Sequence, residues 1–62
     1  MTKIKLPDGK NIIFPDKTTG LEVAAKISKS LLKAALIMSV DGEQKDLSHV
    51  IENDCEVKIF TS

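Results

Sequence analysis

Within its first 25 residues the chain sets two short strands around a tight turn and then starts a helix. Lys3-Ile4-Lys5-Leu6 alternates charged and apolar residues, the period of a half-buried strand. Ile4 and Leu6 share one side, Lys3 and Lys5 the other. Leu6-Pro7-Asp8-Gly9 follows. Pro suits the second position of a type I turn, and Gly9 can take a positive φ, which predicts a three-residue hairpin loop closed by a bulge. The return strand is Asn11 to Phe14, with Ile12 and Phe14 inward and Ile13 outward. Thr19 and Glu22 then have the spacing of a capping box, a hydroxyl for an orphan N–H and a carboxylate reaching back. The helix is expected from Gly20 to Ile27 or Ser28. A hairpin feeding directly into one helix, with more strand behind it, confines the chain to helix-on-sheet architectures.

The remainder fits that frame. Val23, Ala24 and Ile27 share one helix face, and Glu22, Lys26 and Lys29 the other, with Glu22 and Lys26 in the favourable i,i+4 order. Ser28-Lys29-Ser30 interrupts the pattern. Either Ser30 caps a second turn over Leu31 to Ala35, or one helix continues through both, since no Gly or Pro forces a break. Ile37 to Val40 reads as strand, and Asp41-Gly42 as a type I′ hairpin turn. Glu43 to Asp46 is a polar return strand suited to an edge. Leu47 to Ile51 is expected as a short helical turn packed by Leu47 and Ile51. Glu56 to Phe60 alternates again, with Val57 and Ile59 inward. This order predicts an α+β chain with the β-grasp (ubiquitin-like) pattern, a mixed sheet packed on one main helix with short extra helical turns.

With 62 residues the chain is one small domain with little room for a deep pocket beside its core. Nine Lys balance nine acidic residues. No net field therefore draws it to DNA or to an anionic membrane. Its longest apolar run, Ala34 to Met38, is far too short for a bilayer. Cys55 is the single cysteine, which excludes an internal disulfide and fits a reducing, cytoplasmic setting.

Candidate chemistry is sparse. Asp46, His49, Glu52 and Cys55 fall every third residue, but their plain reading is a surface turn with a loop His and a half-buried Cys, not a four-ligand zinc site. His49 and Cys55 lack an orienting third group and an oxyanion donor. Gly9-Lys10 lacks the upstream glycine of a phosphate loop, and Asn11 stands where Ser or Thr is needed. Thr61-Ser62 offers no diglycine tail, and one thiol cannot hold an iron–sulfur cluster. Catalytic, cofactor and metal residues are thus expected to be absent. The outer face of the sheet is the remaining surface. Lys3, Lys5 and Lys58 on adjacent first and last strands would form a small basic patch, diluted by Glu56. Ile13 and Phe60, if outward, would pack against a neighbouring domain. With no Trp or Tyr, and Phe14 needed in the core, a base-stacking platform is not expected.

In order and spacing, a set of residues resembles the TGS domain, most of all that of bacterial threonyl-tRNA synthetases, where it is N-terminal. These are Leu6-Pro7-Asp8-Gly9, Phe14-Pro15, Thr19 with Leu21-Glu22-Val23-Ala24, Leu32-Lys33-Ala34-Ala35, Val40-Asp41-Gly42-Glu43, Asp46-Leu47-Ser48, and Ile51 with Asp54. Family members often carry Gly near positions 28–30, a basic residue at 39 and Pro at 50, where this chain has Ser28-Lys29-Ser30, Ser39 and Val50. The resemblance implies that residues 1–62 are an excised N-terminal fragment: a non-catalytic accessory domain of a ligase that joins threonine to tRNA. It further implies that zinc, Mg²⁺ and ATP act elsewhere in the parent, and that the partners are neighbouring domains and, weakly, tRNA. The alternatives are a regulatory TGS domain of a stringent-response alarmone synthetase or GTPase, and a free-standing interaction module.

Overall fold

The computed structural model describes residues 1–61. Two sheets and two short helices form one unit. The strands are β1 (Thr2–Lys5), β2 (Asn11–Phe14), β3 (Thr18–Thr19), β4 (Ala35–Val40), β5 (Glu43–Lys45), β6 (Val50–Ile51) and β7 (Cys55–Thr61). The helices are α1 (Gly20–Ile27) and α2 (Lys29–Ala34). The main sheet runs β2-β1-β7-β4-β5, with β3 and β6 paired separately. β1 lies parallel to β7, and every other pairing is antiparallel. This is the β-grasp fold the sequence predicts.

Local chemistry explains most elements. The first hairpin turns where Gly9 N–H donates to the Leu6 carbonyl at 2.9 Å, and Gly9 takes a φ of 91°. The second turns at Asp41 and Gly42, whose φ values of 51° and 85° are those a type I′ turn requires. Asp41 also ties this turn to β7. Its N–H donates to the Glu56 carbonyl, and its Oδ1 accepts the Glu56 N–H.

Ser28 resolves the question of one helix or two. Its backbone is extended; its N–H closes α1 onto the Ala24 carbonyl, and its hydroxyl accepts the Leu31 N–H at the start of α2. The cap is therefore Ser28 and not Ser30, because a single extended residue ends one helix and starts the next. At the other end of α1 the Thr19 hydroxyl accepts the Glu22 N–H at 3.3 Å. The return half of the box differs from expectation. Glu22 Oε2 accepts from the buried Thr18 hydroxyl at 3.0 Å, while the Thr19 backbone is engaged in β3.

Two other expectations are corrected. Leu47 to Ile51 forms no helical turn packed along its length. One bond, His49 N–H to the Asp46 carbonyl, closes a turn, and the chain then extends as β6 to pair with β3. β4 begins at Ala35 rather than Ile37, because the pairing with β7 resumes at Ala35↔Thr61 across a register shift.

The core lies between the main sheet and α1. Ile4, Val23, Met38 and Val57 are fully buried, and Leu6, Leu47 and Ile51 nearly so. Ile12, Phe14, Cys55 and Ile59 pack against them from its rim. Ile27, expected on the buried helix face, is 42% exposed because it lines an open groove with Leu6, Leu31 and Ile59 instead of closing against the sheet. Gly20 is buried where α1 comes closest to its neighbours. A Cβ there would meet Met38 Sδ at 2.6 Å and the Leu47 carbonyl oxygen at 3.0 Å.

Candidate functional site

The outer sheet face carries the residues the sequence singles out. Period-2 alternation turns Lys3 and Lys5 of β1, Ile13 of β2, and Glu56, Lys58 and Phe60 of β7 away from the core. Register then fixes their distances. Lys5 is paired with Glu56, so Glu56 sits directly beside it, and Lys58 follows two residues further along β7. Lys5 thus flanks the Glu56 carboxylate, while Lys3 and Lys58 lie on the same face to either side of that pair. Lys3 lies one step from the edge, opposite Ile13, and its N–H is held by Asp54 Oδ1 at 2.9 Å. A shallow hollow of about 310 Å³ beside Lys58 is lined by Pro7, Ser39, Gly42 and Glu56.

The two apolar candidates are not one patch. Ile13 is level with Asp54, just ahead of β7, since its partner Lys3 is tied to Asp54. Phe60 stands six residues further along that strand, about 20 Å away. Phe60 instead meets Ile37, its cross-strand partner on β4, with the 64% exposed Leu36 next in line at the register shift. Leu36 and Ile37 were not singled out in the sequence, where they belong to an ordinary apolar run. Alternation from the buried Met38 turns Ile37 outward, and the irregularity at Ala35/Ile37 is what exposes Leu36.

Electrostatics on this face are mild. The Lys58 ammonium lies over the Phe60 ring, 5.2 Å from its centre, and occupies one of the ring's faces. Among the described residues the one ion pair is Lys45–Glu43 at 2.8 Å, on the edge strand β5. Its hydrogen bond and charge hold the exposed Glu43 carboxyl below the usual carboxylate range.

A second surface, around the β6–β7 loop, gathers Asp41, His49, Glu52, Asp54 and Cys55 about an open hollow of about 260 Å³. Burial pushes the Cys55 thiol up from its ordinary value near 9, and the carboxylates of Asp41 and Asp54 add to the shift. A thiol held protonated is a poor nucleophile and a poor metal ligand. Among the described residues no group of three or more His, Cys, Asp or Glu side chains is placed to hold a metal ion. No described helix is long and apolar enough to cross a membrane. What these surfaces offer is contact: lysines for anions, and Phe60, Ile37 and Leu36 for an apolar neighbour.

Comparison with known proteins places these features in a family. The model of the TGS domain matches residues 2–61. A threonine–tRNA ligase of Pelagibacter ubique (strain HTCC1062) is 66% identical over all 62 residues, which cover 10% of that protein. The threonine–tRNA ligases of Rickettsia akari (strain Hartford) and Rickettsia typhi (strain ATCC VR-144 / Wilmington) are 50% and 47% identical over the same span, again 10% of each. The chain therefore spans about a tenth of the length of the curated relatives it matches.

Proposed function

The chain belongs to the TGS domain family, and from that premise we propose that it is the non-catalytic positioning domain of a threonine–tRNA ligase. The observation that carries this is the 66% identity to such a ligase across every residue of the chain. Aminoacyl transfer needs a site for ATP and Mg²⁺, a threonine pocket and a docked tRNA end, with groups that stabilise charge at the reacting phosphate and carbonyl. This chain has no arginine, one His and a thiol that burial keeps protonated. On this reading zinc, Mg²⁺ and ATP act at sites of the parent outside these residues. The parent works in the cytoplasm, where tRNA is charged.

The domain's share is placement. Lys3, Lys5 and Lys58 touch phosphate weakly, because Glu56 sits among them and the whole chain carries no net charge. Ile13 and Phe60, at separate ends of the sheet, rest on neighbouring domains. A rigid sheet with one lysine-bearing face can orient a tRNA or a domain without taking part in the reaction.

The test compares two activities of the full-length gene product with and without residues 1–61. Threonine activation by ATP involves no tRNA and stays unchanged on deletion. Charging of tRNA, which depends on placement, shows a raised KM. Loss of both activities in a folded deletion protein would contradict a purely positional role.

A further inference from the structure

The main sheet has a gap above the middle of β7. The Glu56 N–H and C=O both point toward β4, where Asp41 holds them. Backbone groups alternate along a strand, so those of Val57 and Ile59 point the other way, toward β1. There β1 pairs with Cys55 and Glu56 only. Two positions past Lys5 stands Pro7, which has no N–H to give to the Val57 carbonyl. The chain has by then turned into the hairpin loop, with Leu6 N–H bonded to the Lys10 carbonyl. The ladder must end here, and the Ile59 N–H and C=O face an open edge. Behind that edge lies an apolar groove of about 280 Å³, floored by Leu6, Ile27, Leu31 and Ile59. It is where Ile27 becomes exposed.

We propose that the open edge of β7 at Ile59 is a docking edge whose occupant is an extended segment of the parent ligase outside residues 1–62. The segment takes the place that β1 leaves at Pro7. It exchanges backbone hydrogen bonds with the half-buried Ile59, since Val57 is fully buried, and lays one branched apolar side chain on Ile27 and Leu31. Unpaired strand groups select extended backbone, and the groove behind them selects an apolar residue at alternate positions. The source follows from the relatives: this chain covers 10% of each. Covalent attachment gives the rest of such a polypeptide an effective concentration in the mM range, which favours it over a free partner. The assignment rests on the ligase reading above.

Hydrogen exchange at single amides tests it. In the 62-residue chain the Ile59 amide exchanges fast, while the neighbouring Lys58 and Phe60 amides, bonded to β4, exchange slowly. In the full-length gene product Ile59 slows by on the order of 100-fold. Ile27→Asp in that product reverses the slowing at Ile59 and leaves Lys58 and Phe60 protected, which also reports that the domain is folded. Equal Ile59 rates in the short and full-length proteins overturn the proposal. So does Ile59 protection that appears in the 62-residue chain as its concentration rises, which would identify a second copy instead. Threonine charging by the same full-length protein keeps the two ideas apart. An active ligase with a fast Ile59 amide removes the docking edge alone; an inactive product with a protected Ile59 removes the ligase reading alone.

Discussion

Gly20→Ala is the sharpest test of the packing between α1 and the sheet. In an isolated helix the change is favourable by up to about 1 kcal/mol, and less at the first helical position. That gain already contains the stiffening of the unfolded chain, about 0.4–1 kcal/mol. Against this stands a steric cost. The new methyl would lie 2.6 Å from Met38 Sδ, 3.0 Å from the Leu47 carbonyl oxygen and 3.1 Å from Leu47 Cα. The Met38 thioether can swing, although Met38 is fully buried. The Leu47 backbone cannot move alone, because its carbonyl accepts the Leu21 N–H at 3.2 Å. Overpacking of this kind costs about 1–3 kcal/mol, and we expect it to win by about 1–2 kcal/mol. For a domain of this size that lowers Tm by about 5–15 °C. Thermal melts followed by circular dichroism read this directly. Gly9→Ala is the control, since nothing lies within 4 Å of its added methyl and only its φ of 91° opposes the change. A Gly20→Ala protein melting at or above the wild-type temperature would refute the packing argument.

Other perturbations follow from the same structure. Thr19→Ala removes the hydroxyl that accepts the Glu22 N–H and should cost about 1 kcal/mol in denaturant titrations. Phe14→Ala should cost about 2 kcal/mol, below the value for a fully buried ring, because Phe14 packs at the rim of the core. Cys55 should alkylate more slowly at pH 8 in the folded than in the unfolded chain, since its raised pKa keeps the thiol protonated. The sign for stability is the same. The folded state holds this proton more tightly, so the contribution is intact below the ordinary thiol pKa near 9 and is lost as pH rises through the folded value. Binding of tRNA should be near 10⁻⁴ M, roughly the non-specific limit, with a log–log salt slope of about −2.7 for three lysine contacts. Lys58→Ala should reduce that slope by about 1.

The turns and caps are legible in the sequence because their chemistry is local. Pro7 with Gly9, Asp41 with Gly42, and Thr19 with Glu22 each carry their conformation within a few residues. The inward and outward faces of β1, β2 and β7 are legible because alternation has a fixed period. The β3–β6 pair is not, since two-residue strands have no period to detect, and Thr18 finds Ile51 only through the fold. Gly20 looks like an ordinary helix start until Leu47 is brought against it. For the candidate site, alternation shows that Lys3, Lys5, Ile13, Lys58 and Phe60 share a face. Only register shows that Lys5 flanks Glu56 while Ile13 and Phe60 stand at separate ends. The gap beside Ile59 is visible in neither composition nor period. It arises because Pro7 ends one strand while its partner continues.

On the proposed function this domain positions and does not react, within a parent that activates threonine. Threonine-dependent ATP–pyrophosphate exchange tests it most directly, measured on the isolated 62-residue chain, the full-length gene product and that product lacking residues 1–61. We expect no exchange above a buffer blank from the isolated chain. The two longer proteins should agree within about twofold, a difference in transition-state stabilisation of roughly 0.4 kcal/mol. Exchange by the isolated chain, or a full-length product with no threonine-dependent exchange, would contradict the account.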